Sequence, residues 1–478
     1  MRKTKIIATI GPSSRKPEII KNLIEAGVNI FRLNFSHGDH EYHKKNIEII
    51  RIAAKESGKI VGILQDLSGP KVRIGEVKNP IFLHEGEILE IYKEPIMCEK
   101  KNSVAKIYID YPQILEDLKI GDLIYIADGA IRVRVIEKHP SKVITQVIIG
   151  GIISSRKGVN FPGAEISIST LTSKDKIDLE FGIKHGVDFV ALSFVKDEKD
   201  VEECKKIIKK LKGNQWVFAK IETQKAVENI DKILNISDGI MIARGDLGVE
   251  VPIEKVPIIQ KEIVKKAKDK GLPVIIATQM LTSMINSIMP TRADVSDIAN
   301  AVLDGADALM LSDETAVGKY PVQSVKMMVK IIKEAEKIYN YEIETHPHVS
   351  SDYAIAYSSV ILAKDIRANK IIVFTKSGSS AKRVSRFRPA SLILANVHDE
   401  DILRKLTILW GVYPYTVLSE NQEPENMVKE FVKRAYRDKI IKENETLVLT
   451  MGYPVGKVGS TNLIRILKQE QIKEIIGL

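Results

Sequence analysis

VDFVALSF (187–194), QWVFAKIE (215–222), DGIMIARGD (238–246), PVIIAT (273–278) and DALMLS (307–312) are apolar runs of strand length, each reaching a polar or charged residue at its end. Between them lie DEKDVEECKKIIKKLKG (197–213), QKAVENIDKILNI (224–236), EKVPIIQKEIVKKAKDKG (254–271) and RADVSDIANAVLDG (292–305), whose apolar residues recur at helical spacing. KDKIDLEFGIKHG (174–186) precedes this series, and PVQSVKMMVKIIKEAEKI (321–338) closes it. Toward the N-terminus the rhythm continues through KTKIIATI (3–10), VNIFRLNF (28–35) and KIVGILQDL (59–67), separated by PEIIKNLIEAG (17–27) and EYHKKNIEIIRIAAKESG (41–58). Eight strand-then-helix units predict an α/β chain whose main domain is a closed (β/α)8 barrel, a TIM barrel, over 1–70 and 168–340.

The rhythm breaks after Ser68-Gly69-Pro70. From 71 to 167 the pattern is IFLHEGEILEIY (81–92), GDLIYIADGAIRVRVIEKH (121–139) and KVITQVIIGGII (142–153), cut by Gly, Asp and Pro. This predicts a small inserted β domain. From 341 to 478 strands and helices alternate again, predicting a separate C-terminal α/β domain.

Composition narrows the function classes. Hydrophobic residues make up 44% and charged residues 28% of 478, which predicts a folded chain rather than a disordered one. Cys98 and Cys204 are the only cysteines, too few for a disulfide framework or zinc cluster, and they fit a reducing cytoplasm. The basic tip MRKTKIIATIG is too short for a signal peptide, and no apolar run reaches membrane-spanning length. A net charge of +10 raises the question of nucleic acid. Lys and Arg are nevertheless spread over helix faces without interleaved aromatics, so they are expected to be solvated, with neither nucleic acid nor membrane as a partner.

A barrel carries its chemistry at the C-terminal ends of its strands. There the sequence puts Thr9 and Gly11, then Arg32, Asn34 and Ser36, then Asp66, Ser193, Lys220 and Glu222, Arg244 and Asp246, Thr278 and Gln279, and Ser312 and Glu314. Glu222 and Asp246 are hard oxygen donors at consecutive strand ends, the set that holds Mg²⁺ beside a phosphate, and Lys220 between them suits a phosphoryl group in transfer. Gly245 and Gly248 flank the acid before a helical segment, leaving backbone amides for a substrate carboxylate. Arg32, Asn34 and Ser36 share one strand face, and Arg32 suits a phosphate. His37, His40 and His43 recur at spacing three, but the surrounding Glu and Lys predict a solvated helix, not a metal site. Gly452–Lys457 lacks the P-loop spacing and its Ser/Thr. Thr375-Lys376-Ser377-Gly378-Ser379-Ser380 is a hydroxyl-rich turn opening a helix, suited to a phosphate or to simple capping.

In order, TKIIATIGPSS (4–14), FRLNFSHG (31–38), QDLSGPKVRIG (65–75), KGVNFPGA (157–164), KIE (220–222), MIARGDLGVE (241–250), ATQMLTSM (277–284), PTRADVSD (290–297), LSDETAVGKYP (311–321) and FTKSGSSA (374–381) resemble pyruvate kinase along the whole chain. The resemblance implies phosphoryl transfer from phosphoenolpyruvate to ADP, giving ATP and pyruvate, under a β lid, with a C-terminal effector domain and usually a cytoplasmic homotetramer. It implies Mg²⁺, with Mn²⁺ as a substitute, on Glu222 and Asp246. Lys220 would stabilise the moving phosphoryl, Arg32 grip the phosphate, the Gly245 and Asp246 amides hold the substrate carboxylate, and Thr278 face the carbon to be protonated. Arg73 and Lys174 would reach nucleotide phosphates, with Thr9, Asn34 and His37 on the nucleotide side. Ser312 and Glu314 would belong to a proton relay, and Thr375–Ser380 would take a phosphorylated effector. Asp313 departs from the family pattern, which usually has Gly there.

Asn34, Ser36, Asp66 and the carbonyl of Leu67 correspond to a K⁺ site, but Lys71 stands where K⁺-requiring members carry Glu. The resemblance is therefore to the branch that works without K⁺, although Ser68 departs from it. A Mg²⁺-dependent enolate aldolase would share the KIE and GD carboxylates. It would need neither Arg73 nor Lys174, nor a nucleotide.

Overall fold

β-branched and aliphatic runs form the strands Lys5–Thr9, Ile30–Asn34, Gly62–Asp66, Phe189–Leu192, Trp216–Ile221, Gly239–Ala243, Val274–Ala277 and Ala308–Leu311. All eight are parallel, and the last pairs with the first, so the sheet closes into the expected barrel. This computed structural model describes residues 1–343, 350–417, 423–453 and 461–477. Strand period divides each strand between two cores. Ile6 and Ala8 join the cluster beneath the surrounding helices, whereas Ile7, Leu64, Phe218 and Met241 belong to the cluster that fills the barrel. That second cluster continues into Ile371, Val373 and Ile393 of the C-terminal sheet, so barrel and C-terminal unit share apolar packing.

Between Gly62–Asp66 and the helix Ser173–Lys184 the chain makes a seven-stranded sheet around its own core, which includes Ile74, Leu89, Ile107, Val133 and Val159. Two of its strands, Glu99–Lys101 and Val104–Tyr108, fall where the sequence showed no strand signal. The C-terminal sheet has five strands, and Thr461–Leu467 runs antiparallel to Leu447–Gly452 at its edge.

The expectation that the basic residues are solvated fails at the N-terminus. Arg2, Lys3 and Lys5 are buried. Arg2 donates to the Gly27 carbonyl at 2.6 Å, and Lys3 Nζ lies 3.8 Å from the centre of the Tyr341 ring. Lys5 Nζ donates to the Val412 carbonyl at 2.5 Å, and burial lowers its pKa to about 7. Lys3 and Lys5 thereby tie the foot of the barrel to Tyr341 and Val412 of the C-terminal unit. Cys98 and Cys204 are both free and buried. Among the described residues no helix is long and apolar enough to cross a membrane.

Candidate active site

Lys220 is the penultimate residue of the fifth barrel strand and is buried beneath the rim. Its ammonium lies 2.9 Å from Glu222 Oε1 and 3.2 Å from Asp66 Oδ1, and it donates to Ser193 Oγ at 2.7 Å. Arg32 Nε reaches the other Asp66 oxygen at 2.6 Å, and Arg32 Nη1 donates to Thr9 Oγ1 at 3.2 Å. Residues from strands one, two, three, four and five thus form one network of two cations and two carboxylates. Burial opposes charge on Lys220, but Asp66 and Glu222 outweigh it and hold the ammonium pKa above the ordinary lysine value. Burial likewise pushes Asp66 up, yet Lys220 and Arg32 keep it below the usual carboxylate range. Ser193, at the end of the fourth strand, adds a part that its place in the sequence does not announce: its hydroxyl links Lys220 to the Leu67 carbonyl, which it meets at 2.7 Å.

Glu222 behaves differently. Burial and the nearby charge of Asp246 raise its pKa, even with Lys220 beside it and the Phe194 amide donating to Oε2 at 2.8 Å. A half-buried second carboxylate, Asp246, faces Lys71 Nζ at 3.7 Å. The segment Arg244–Glu250 is itself a helix, beginning two residues before Asp246, so Gly245 and Asp246 lie in its first turn rather than before it.

Arg244 is the positioning residue that sequence underrated. Buried, it pairs with Asp297 at 2.6 Å and donates to the Thr278 carbonyl at 2.7 Å. That grip fixes a turn in which Thr278 and Gln279 have φ of 69° and 56°, a region costly for a β-branched residue. Thr278 Oγ1 donates to the Ala277 carbonyl and accepts from the Gly245 amide, at 2.6 and 2.8 Å. Buried Glu314 accepts from the Leu281 and Ser312 amides at 2.9 and 2.8 Å, tying the seventh strand's loop to the eighth's. Ser312 Oγ is buried with no hydrogen-bond partner, and Asp313 is exposed.

Other expected residues lie outside the Lys220 network. Arg73 sits in the β insert, its guanidinium 3.3 Å from the Arg156 carbonyl. Lys174 is exposed and bonds to Asp178 and to the Phe35 carbonyl, at 2.5 and 2.8 Å. Asn34 Oδ1 accepts from the Ser36 amide at 3.1 Å; Ser36 and His37 are exposed beyond the strand. The solvated reading of the histidine helix is corrected at His43. It is buried, stacked on Phe35 with ring centres 3.9 Å apart, and bonded to the His37 carbonyl, while His40 meets Asp178 at 2.8 Å. Among the described residues, no group of three or more His, Cys, Asp or Glu could hold a metal ion.

In the C-terminal unit the strand Lys370–Phe374 leads into the Thr375–Ser380 turn. Gly378 there takes a φ of 83°, and its amide is held by Thr375 Oγ1 at 3.1 Å before the helix Ser379–Arg386. Ser377 and Ser379 hydroxyls lie 3.0 Å apart, and Ser380 meets Thr461 at 2.6 Å. Most of the P-loop-like stretch Gly452–Lys457 lies outside the described residues.

Comparison with known proteins matches the description "Pyruvate kinase, barrel domain" over residues 1–325 and "Pyruvate kinase, alpha/beta domain" over 353–467. The chain is similar to pyruvate kinase 2 of Synechocystis, with 43% identity covering 100% of this chain and 80% of that protein. It is 41% identical to the pyruvate kinase of Geobacillus stearothermophilus, covering 97% of this chain and 80% of the relative. A crystal structure of a pyruvate kinase from Cryptosporidium parvum superposes with a TM-score of 0.92 at 36% identity, over 98% of this chain and 96% of the other.

Proposed function

Because the chain belongs to the pyruvate kinase family and transfers the phosphoryl group of phosphoenolpyruvate to ADP to give ATP and pyruvate, we propose that the Lys220 network is where that transfer takes place. The observation that carries this reading is a buried ammonium held between Asp66 and Glu222, which favour its charged form, at the C-terminal rim of the barrel. Phosphoryl transfer asks for little covalent help; it asks for cations already in place where charge moves. Arg32 grips the phosphate of phosphoenolpyruvate, and Lys220 neutralises the group as it passes in line to ADP. Arg73, Lys174, Thr9, Asn34 and His37 receive the nucleotide.

Glu222 and Asp246 suit Mg²⁺. They are hard oxygen donors whose mutual repulsion, in a buried setting, a dication would relieve. When bound, Mg²⁺ supplies charge neutralisation at the phosphoryl oxygens, and Mn²⁺ supplies the same. The Gly245 and Asp246 amides hold the substrate carboxylate. To do so the carboxylate takes over the Gly245 amide from Thr278 Oγ1, so that the Thr278 hydroxyl need only turn from the Ala277 carbonyl to face the methylene carbon. Ser312, whose buried hydroxyl has no internal partner, and Glu314 behind it relay the proton. The β insert, from 71 to 167, closes over the rim as a lid and keeps water from the phosphoryl group. Mn²⁺ binding to the purified protein tests the metal assignment directly. Glu222→Gln is expected to lose most of its Mn²⁺ affinity, and full affinity in that variant would remove Glu222 from the metal set.

We extend the proposal to regulation in a cytoplasmic homotetramer. The Thr375–Ser380 turn presents hydroxyls and a helix start to a phosphorylated effector, and filling it favours a state with higher affinity for phosphoenolpyruvate. Sugar phosphates or AMP are expected to shift the phosphoenolpyruvate saturation curve, and Ser377→Glu to abolish the shift by repelling phosphate. If none of these ligands moves the wild-type curve, the turn is only a helix cap. Lys71 extends the reading to catalysis without K⁺.

A further inference from the structure

The two segments that leave and re-enter the barrel at the lid are bridged to each other. Ile74 donates to the Lys157 carbonyl at 2.8 Å and Val159 to the Val72 carbonyl at 2.9 Å. From this paired hinge one residue of each segment reaches the same barrel helix, Arg244–Glu250. Lys71 Nζ lies 3.7 Å from Asp246 Oδ1, and Asn160 Nδ2 donates to Glu250 Oε1 at 3.2 Å. Asp246 and Glu250 are four residues apart and share one helix face. The lid makes another approach to this helix. Its turn at Ala127, Asp128 and Gly129 has positive φ throughout, and a Cβ built on Gly129 would sit 3.7 Å from Val249 Cγ1.

We propose that Asn160 and Glu250 are positioning residues that form a clasp, seating the lid on the helix that also carries Asp246. The inference rests on the lid reading above and adds the contact that sets the lid's posture. Packing along this junction is incomplete. A cavity of about 530 Å³ runs along the junction, with Lys71, Asn160 and Glu250 among its walls, so the clasp bridges an otherwise loosely filled seam. The donor is also of a suitable kind. Asn160 Nδ2 is the donor and Glu250 Oε1 the acceptor, a bond the carboxyl can accept in either protonation state. Burial and the neighbouring Asp246 and Glu222 raise the Glu250 pKa to about 7, and a neutral amide bonds that carboxyl without competing for Asp246.

Hydrogen–deuterium exchange on the full-length apoprotein tests the clasp apart from catalysis. In Asn160→Ala and in Glu250→Ala, amides at Ala127–Gly129 and Val159–Asn160 are expected to exchange about fivefold faster, the worth of one such hydrogen bond. The double variant should go no further than either single, and Glu250→Gln, whose amide oxygen still accepts, should restore slow exchange. Steady-state kinetics on the same proteins should show KM for phosphoenolpyruvate and ADP rising about fivefold, with kcat less affected. Unchanged exchange in both single variants, or additive effects in the double, would overturn the clasp whatever the kinetics. Faster exchange with unaltered KM and kcat would keep the clasp and sink the lid's part in catalysis instead.

Discussion

Lys220→Met is expected to lower kcat for ATP formation by about 10³-fold or more, the scale seen when a preorganised group facing transition-state charge is removed. Two features make this a test of chemistry rather than of folding. Removing one partner from a buried ion pair ordinarily costs ~3–5 kcal/mol, because the remaining charge is stranded. Here Asp66 keeps Arg32 at 2.6 Å and Glu222 keeps the Phe194 amide at 2.8 Å, so neither carboxylate is left without a partner. The fold therefore survives, and with it phosphoenolpyruvate binding through Arg32 and the Gly245 and Asp246 amides. Protonation of enolpyruvate, assigned to the Thr278 side of the rim, should survive as well. Single-turnover measurement of ATP formation alongside binding of phosphoenolpyruvate separates these steps. Pyruvate formation from phosphoenolpyruvate at near wild-type kcat would remove Lys220 from the transfer step.

The network around Lys220 was legible because barrel geometry turns strand ends into neighbours. Thr9, Arg32, Asp66, Ser193, Lys220 and Glu222 can be read off sequence once the strands are counted, since alternation fixes which residues reach the rim. What sequence missed lies in contacts without a local period. Glu99–Lys101 and Val104–Tyr108 carry little strand signal because only Ala105 and Ile107 point into the insert's core, with Lys106 between them. His43 reads as solvated beside Glu41, Lys44 and Lys45, and only the fold brings Phe35 onto its ring. Lys5 reads as a basic tip until the C-terminal unit supplies the Val412 carbonyl and the Tyr413 ring. Asn160 and Glu250 are separated by 90 residues, and Arg244 looked like one more strand end. Its role emerges from the positive φ of Thr278, which no pattern in ATQMLTSM announces.

Activity should be full in buffer free of Na⁺ and K⁺, and Lys71→Glu should lose about 10²-fold of it there and regain it on adding K⁺. The structural case rests on which oxygens still want a cation. Asp66 is already met by Arg32 and Lys220, the Leu67 carbonyl by Ser193, and Asn34 Oδ1 by the Ser36 amide. Ser36 itself is exposed, past the end of its strand. Of the residues that correspond to a K⁺ site, Asp66 and the Leu67 carbonyl are thus engaged by Arg32, Lys220 and Ser193, and Asn34 by Ser36; on the proposed reading the positive charge comes instead from the hinge. Lys71 is half-buried, and its Nζ lies 3.7 Å from Asp246 Oδ1, where substrate phosphate and Mg²⁺ are proposed to meet. A compact ammonium on a four-carbon stem can take the electrostatic part of a monovalent ion at that edge. Replacing it by Glu removes that charge and sets a carboxylate beside Asp246, so an added cation becomes necessary to offset the repulsion. Rates measured at constant ionic strength, with K⁺ exchanged for a tetraalkylammonium ion, read this without a general salt effect. A wild-type rate that climbs many-fold on adding K⁺ would show that Lys71 does not replace the ion.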